Sequence, residues 1–228
     1  MGSNYRLKYN VDIAMCIDAT GSMEPLIGKV RENAENFYAD LMERMGSKGK
    51  AIDNVRVRVI AFRDYASDGL ENAMLASEFF NLPNQSREFH DTLAAITAQD
   101  GGDDPEDGLE ALAFAIKSDW VKTGHKKRHI IIVWSDDATH PLGEGAKMDM
   151  KGYPPKMPRS FEELTDMWEN PAIMDPSAKR LIIYAPDREH WGTISELWNQ
   201  SIHFPSEAGN GLENVTYQSI LDAIANSI

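Results

Sequence analysis

An apolar stretch that ends in a carboxylate constrains the fold more than any other feature of the sequence. Residues 13–17 are apolar, and Asp18 follows them directly, which is typical of a buried strand that leads from the interior to the edge of a sheet. Thr20 and Ser22 then place two hydroxyls in the next turn. Any one of these side chains alone would be explained as a helix N-cap, but three in one short turn exceed what capping needs. Their oxygen atoms suit Mg²⁺, Mn²⁺ or Ca²⁺.

The chain is long enough to bury a sizeable core. It has 228 residues, of which 42% are hydrophobic, and this length fits one large α/β domain. There are 23 Lys and Arg against 36 Asp and Glu, so the formal net charge is 23 − 36 = −13. Binding to nucleic acid or to an anionic membrane needs a basic surface, so the sequence predicts neither. Solubility alone explains the acidic balance.

Features that report on cellular location all indicate the cytoplasm. Cys16 is the single cysteine, so the chain can form no internal disulfide and carries no sign of an oxidising compartment. Residues 1–6 lack the apolar region of a signal peptide. No apolar run approaches the roughly 20 residues of a membrane span. We therefore expect a cytoplasmic protein.

Strand-like and helix-like patterns alternate along the chain. Strands are predicted at 11–17, 55–62, 77–82, 130–134, 180–186 and 201–204. Helices are predicted at 23–45, 87–97, about 105–120, 161–168, 190–199 and 216–228. This alternation predicts an α/β fold with a Rossmann-like, doubly wound, mostly parallel sheet of about six strands, one of them an antiparallel edge strand, flanked by helices. We expect residues 1–10 to be a lead-in and residues 11–228 to be a single domain with a long loop at about 138–160.

Oxygen-bearing side chains from separate parts of the chain are expected to converge. Asp18 and Asp136 each follow a predicted strand, and Asp103 lies in a loop before a helix. In open α/β sheets, ligands bind outside the carboxyl ends of the strands, near the point where strand order reverses. The predicted metal ligands are Asp18, Thr20, Ser22, Asp103 and Asp136.

Four neighbouring residues have weaker arguments. Asp104 and Asp137 each lie one residue from a predicted ligand and are its alternatives. Asp64 follows the second strand at the same edge, where support of the metal ligands and a surface ion pair or turn contact are both open interpretations. His140 lies just past Asp136, and we interpret it as a loop histidine with local hydrogen bonds rather than as a ligand.

Three short motifs resemble those of the von Willebrand factor A (vWA) domain family. They are Asp-Ala-Thr-Gly-Ser at 18–22, Asp-Gly-Gly-Asp-Asp-Pro-Glu at 100–106 and Ser-Asp at 135–136. Together they resemble the metal-ion-dependent adhesion site (MIDAS) motif of stand-alone cytoplasmic bacterial members, from about Val11 to the last helix. Asp100 departs from the all-glycine pattern that precedes the second acid in that family.

The resemblance implies roles for individual residues and a function. Thr20 and Ser22 would bind Mg²⁺ through their hydroxyls, Asp18 and Asp136 directly or through waters, and Asp103 in place of a threonine. The implied function is a metal-dependent protein–protein interaction module, such as a scaffold in a stress-response or tellurium-resistance-like system. Its partner would be another protein bound at or near the metal, to a chain expected to be monomeric and not an enzyme. The alternative is a metal-dependent hydrolase acting on phosphoesters, because a bound ion lowers the pKa of its water.

Overall fold

The computed structural model describes residues 8–99, 105–124, 126–143 and 149–228. The strands of these residues form one sheet and are β1 (Lys8–Asp18), β2 (Ala51–Phe62), β3 (Met74–Ala76), β4 (Phe80–Leu82), β5 (Lys126–Trp134), β6 (Lys179–Pro186) and β7 (Ser201–Ser206). The helices are a 3₁₀ turn (Gly21–Met23), α1 (Glu24–Asn33), α2 (Phe37–Ser47), α3 (Tyr65–Asp68), α4 (Leu70–Ala73), α5 (Ser86–Ala95), α6 (Gly108–Ile116), α7 (Phe161–Glu169), α8 (Trp191–Leu197) and α9 (Tyr217–Ser227).

The sheet is mostly parallel, and β1 lies at its centre. The strand order is β3-β2-β1-β5-β6-β7, and β4 also pairs with β2. Strands β2, β1, β5, β6 and β7 are parallel, whereas β3 and β4 are antiparallel to successive parts of β2. The predicted antiparallel edge strand at 77–82 is shortened to β4, and β3 precedes it as a further antiparallel strand. The sheet therefore has seven strands where about six were expected. The mixed α/β class is confirmed.

Helices cover both faces of the sheet, and the side chains of β1 alternate between the two cores that result. Ile13, Met15 and Ile17 pack on one face with residues of α1, α2, α5 and α9. Ala14 and Cys16 pack on the other face with residues of α6, α7 and α8. A strand buried on both faces needs a continuous apolar run, and the sequence of β1 supplies one.

The predicted continuous helix over 23–45 is wrong in one respect, because it is broken between Asn33 and Phe37. At the break the backbone makes tighter bonds, in which the NH groups of Ala34 and Asn36 donate to carbonyls three residues earlier. The Asn33 side chain also donates to the Lys29 carbonyl at 2.7 Å. Asparagine side chains compete with regular helical bonding in this way. The apolar stripe continues through the break, so it did not reveal it.

The carboxyl ends of the central strands meet at one edge. Asp18 pairs in register with Phe62 of β2, and Ile17 pairs with Trp134 of β5. The chain leaves β1 toward β2 on one side and later returns to pair β5 on the other, so the strand order reverses beside β1. The sequence predicts the metal site at this edge.

Two segments of the predicted domain organisation, the lead-in at 1–10 and the loop at about 138–160, lie only partly within the described residues. β1 already begins at Lys8, inside the predicted lead-in, and residues 1–7 lie outside the described residues. Residues 144–148 of the predicted loop also lie outside them. Within the described ranges, no helix has the length and apolar character needed to cross a membrane.

Candidate cation site at the carboxyl edge of the sheet

Asp18 ends β1 in a fully buried position, where neighbouring groups hold its carboxylate. One oxygen, Oδ1, accepts hydrogen bonds from the Thr20 backbone NH at 3.0 Å and from the Thr20 hydroxyl at 2.7 Å. The other, Oδ2, accepts one from the Ser135 hydroxyl at 2.8 Å. The turn after β1 and the turn after β5 therefore both fold onto this carboxylate.

A chain of side-chain oxygens continues from Asp18 to Asp136. The Thr20 and Ser22 hydroxyl oxygens lie 3.3 Å apart, and the Ser22 hydroxyl donates to Asp136 Oδ1 at 3.0 Å. Four of the five predicted ligands are thus in one cluster, which we call the acidic edge site: Asp18, Thr20, Ser22 and Asp136. The fifth, Asp103, and its alternative Asp104 lie outside the described residues.

A glycine that the sequence interpretation missed completes the surroundings of Asp136. The Gly211 NH donates to Asp136 Oδ2 at 2.8 Å, and the Gly209 NH donates to the Asp136 carbonyl at 2.8 Å. Gly211 has φ +55°, and a Cβ on it would lie 2.1 Å from the Ser22 carbonyl oxygen. Only glycine fits this approach. The available signal was the run Gly209-Asn-Gly211 in a loop after β7.

Two further predicted residues, Asp137 and Asp64, make hydrogen bonds outside the acidic edge site. Asp137 directs Oδ1 to the Ala138 NH at 2.6 Å, and its carbonyl accepts from the Trp191 indole at 3.1 Å. Asp64 caps α3, because it accepts from the Ala66 NH at 2.8 Å and from the Ser67 hydroxyl at 3.0 Å. These are turn contacts, and the predicted support of the metal ligands by Asp64 stays a prediction.

The acidic edge site concentrates negative charge away from water. Burial raises the pKa of Asp18 from 3.8 to about 6, with a smaller contribution from the charge of Asp136, while the bonds from Thr20 and Ser135 act in the opposite direction. Glu106, the last residue of the 100–106 motif, is 2% exposed. Burial is the main cause that raises its pKa to about 9. Neighbouring acids add to this shift, and Asp18 contributes most among them.

The donor set of the acidic edge site fits a hard divalent cation. It consists of carboxylate and hydroxyl oxygens, which Mg²⁺ and Ca²⁺ prefer. In the described part of the chain, neither Asp18 nor Asp136 has an ion pair with Lys, Arg or His. Buried carboxylates are otherwise paired or coordinate metals. A bound cation would supply the missing positive charge, and the Thr20 and Ser22 oxygens keep lone pairs for it.

Comparisons with known proteins show similarity in structure only. No protein-family model matches the chain, and no curated protein matches it. The pilus adhesin SpaC from Lactobacillus rhamnosus GG is 15% identical, with a TM-score of 0.58 over 97% of this chain and 31% of its own. The PilB minor pilin from Streptococcus sanguinis is 12% identical, with a TM-score of 0.59 over 99% of this chain and 63% of its own.

A third solved structure is proximal thread matrix protein 1 from the mussel byssus, at 10% identity and a TM-score of 0.51, covering 97% of this chain and 49% of its own. The chain therefore spans from about a third to under two thirds of the length of these proteins. At such identities the likeness establishes a shared fold and nothing finer.

These findings correct the family assignment made from the sequence. The structural likeness is to a pilus adhesin and a minor pilin, and no family model supports vWA membership or a MIDAS motif. Two functions were inferred from that assignment or from the metal it implies: a metal-dependent interaction module in a stress-response or tellurium-resistance-like system, and a phosphoesterase as the alternative. Both are wrong for the same reason as the family assignment. The physical reason is that the assignment rested on three short oxygen-rich motifs, and such residues also follow strands as caps and turn formers.

Proposed function

We propose that the chain is an adhesion-type domain that binds another protein at the carboxyl edge of its sheet. The single observation that carries this is the likeness to a pilus adhesin and a minor pilin over 97–99% of this chain. Because the chain spans only part of those proteins, the proposal concerns a binding domain and not a whole pilus component. The monomeric state and the cytoplasmic location stay predictions.

The carboxyl edge is the proposed face because loops from distant parts of the chain meet there around exposed residues. Ser22 and Glu24 are exposed beside the buried Asp18 and Asp136. In sheets of this kind the strand order reversal opens a crevice for ligands at that edge. We include in this proposal that the sheet is Rossmann-like and doubly wound, which the order β2-β1-β5 and the two helix layers support.

Site-specific photo-crosslinking tests the proposed face. A photoreactive residue is placed at Glu24, beside the acidic edge site, and in a matched control at Lys122, which is exposed near the opposite edge. With an extract of the source cells, we expect a discrete crosslinked protein from position 24 that unlabelled wild-type chain competes away, and none from position 122. Identical products from both positions, or none from position 24, would contradict the proposal.

We also propose that a divalent cation, Mg²⁺ before Mn²⁺ or Ca²⁺, binds to Asp18, Thr20, Ser22 and Asp136, with Asp103 as a further ligand. Its role in this chain is to neutralise buried carboxylates and hold the turns after β1 and β5 together. A ligand bound only by the folded state stabilises it, by roughly 2.7 kcal/mol at a hundredfold excess over Kd.

Thermal unfolding after EDTA treatment tests the cation. We expect Tm to rise with added MgCl₂ and not with KCl at equal ionic strength. Ser22→Ala, at an exposed position, and Asp136→Asn should reduce that rise, whereas Asp53→Asn, at an exposed ion pair with Lys8, should retain it. An equal rise in all four proteins would show that the stabilisation does not come from this site.

A further inference from the structure

A second group of potential ligands lies at the same edge, outside the acidic edge site. Asp64, Asp107 and His140 each direct one ligand atom toward the others, and these atoms all lie within 4.8 Å of one another. Asp64 and Asp107 are buried, and His140 is half-buried. In the sequence, Asp107 lies in the predicted helix at about 105–120 and His140 in a loop, and no local pattern groups them with Asp64.

Backbone contacts between three segments explain why these side chains meet. The His140 NH donates to the Glu106 carbonyl at 2.8 Å, and Glu106 forms an isolated β-bridge with Thr139. The Tyr65 NH donates to Asp107 Oδ2 at 2.8 Å. The ends of β2 and β5 and the start of α6 are therefore tied together, with one ligand residue from each.

Glu106 supplies an observation independent of this cluster. Its Oε2 atom is buried, and within the described ranges it has no hydrogen-bond partner. The negative charges of Asp18, Asp68, Asp64 and Asp107 all act on this carboxyl group and raise its pKa. A buried carboxylate oxygen without a partner is costly, and its place among further acids indicates a missing cation.

Among the described residues, the neighbouring Arg63 does not neutralise this charge. Arg63 lies at the end of β2, but its guanidinium donates to the carbonyls of Ala19, Asn72 and Thr97. His140 Nε2 lies 3.6 Å from Asp64 Oδ2, which is an ion pair only when the imidazole is protonated. One imidazolium carries a single positive charge, whereas the charges of four acids, Asp18, Asp68, Asp64 and Asp107, act on the Glu106 carboxyl group.

We propose that Asp64, Asp107 and His140, with Glu106 beside them, form a binding site for a first-row transition-metal dication, Zn²⁺ or Mn²⁺. A mixed set of one imidazole nitrogen and carboxylate oxygens suits these ions, whereas the all-oxygen acidic edge site suits Mg²⁺. Ligands about 2.1 Å from one ion lie roughly 3–4 Å apart, so ligand atoms that lie within 4.8 Å of one another need to approach by at most about 1–2 Å.

Metal titration of the full chain tests this site separately from the acidic edge site. The EDTA-treated chain is titrated calorimetrically with ZnCl₂ and with MnCl₂, and Co²⁺ absorption reports nitrogen ligation. Asp136→Asn, which alters only the acidic edge site, should retain one Zn²⁺ equivalent. His140→Gln in that background should weaken Zn²⁺ binding at least tenfold and change the Co²⁺ spectrum, while His203→Gln, at a half-buried histidine on β7, should change neither.

Two outcomes would overturn the proposal. If the Asp136→Asn chain binds no Zn²⁺ or Mn²⁺, or if His140→Gln leaves Zn²⁺ affinity and the Co²⁺ spectrum unchanged, the cluster is a hydrogen-bonded network only. Circular dichroism of each variant establishes that it is folded, and Glu106→Gln provides a second variant should His140→Gln unfold. Failure of the Mg²⁺ experiment above would leave this result standing, because the two sites use different side chains.

Discussion

At the scale of single residues, burial decides the chemistry of the acids and of the thiol. Asp18 is fully buried, and its carboxylate is held by Thr20 and Ser135 rather than by a basic side chain. Its pKa is nevertheless raised to about 6, because loss of hydration outweighs those hydrogen bonds.

Cys16 is expected to be unreactive in the folded protein. It is fully buried, its Sγ lies 3.7 Å from the Ala111 carbonyl, and burial raises its pKa to about 12. The thiolate is the reactive form, so its reaction with Ellman's reagent at pH 8 should be more than about a thousandfold slower than in guanidinium, where one thiol per chain reacts. A native rate close to the denatured rate would contradict this.

Gly211→Ala should destabilise the protein by about 2–4 kcal/mol, because the added Cβ would clash with the Ser22 carbonyl and the residue has positive φ. Gly209→Ala is the matched control. Gly209 has φ +69°, but a Cβ there meets nothing within 4 Å, so only the backbone cost of about 1 kcal/mol applies. Urea unfolding measures both. Equal losses would mean that the approach to Ser22 is not constrained.

At the scale of elements, a buried ion pair joins strands near the amino edge of the sheet. Asp12 of β1 accepts from Arg56 Nε at 2.8 Å and Nη2 at 2.7 Å, and from the Val121 NH at 2.6 Å. The contact therefore ties β1 to β2 and to the segment after α6. Asp12 is 1% exposed, whereas the Arg56 side chain is partly exposed and also donates to the Asp119 carbonyl at 2.8 Å.

Asp12→Ala should cost about 1.5–3 kcal/mol of stability, because it removes the charged acceptor of Arg56 and of the Val121 NH. The matched control is Asp53→Ala in β2, where the ion pair with Lys8 is exposed on both sides and worth less than about 1 kcal/mol. Denaturant midpoints of the two variants give the comparison. A loss below about 1 kcal/mol for Asp12→Ala would show that this pair does not join the elements.

The elements themselves were largely predictable, and the exceptions have local causes. Apolar runs such as Ile130–Trp134 identified strands because a strand covered on both faces must be continuously apolar. The helix break near Asn33 was missed because the apolar stripe continues through it. The basic residues Lys126 to His129 belong to β5, although their polarity resembles a turn.

At the scale of the whole molecule, one buried histidine should make stability depend on pH. His129 is 3% exposed and stacks on Trp120, and its Nε2 donates to the Val121 carbonyl at 2.9 Å. Burial lowers its pKa, which the Val121 bond, Asp12 and Asp175 only partly oppose and the charge of Lys127 reinforces. The folded protein therefore keeps this imidazole neutral to lower pH than the unfolded chain does.

The sign of the effect follows from proton linkage. As pH falls through about 6.5, the unfolded chain binds a proton at His129 before the folded protein does, so the free energy of unfolding decreases. His129→Gln should lose less stability than wild type between neutral and mildly acidic pH, measured by urea unfolding with EDTA present. Parallel pH profiles of the two proteins would contradict this prediction.

The sequence by itself determined the α/β class and the position of Asp18 and Asp136 at strand ends, because apolar periodicity and strand termini are local properties. Only the tertiary structure decided which distant residues meet. Ser22 and Asp136 are 114 residues apart, Gly211 and Asp136 are 75 apart, and the grouping of His140 with Asp64 and Asp107 joins three segments. Such contacts depend on strand order and loop paths, which no local pattern encodes. The short motifs indicated residues of the acidic edge site, but the family assigned from them was wrong.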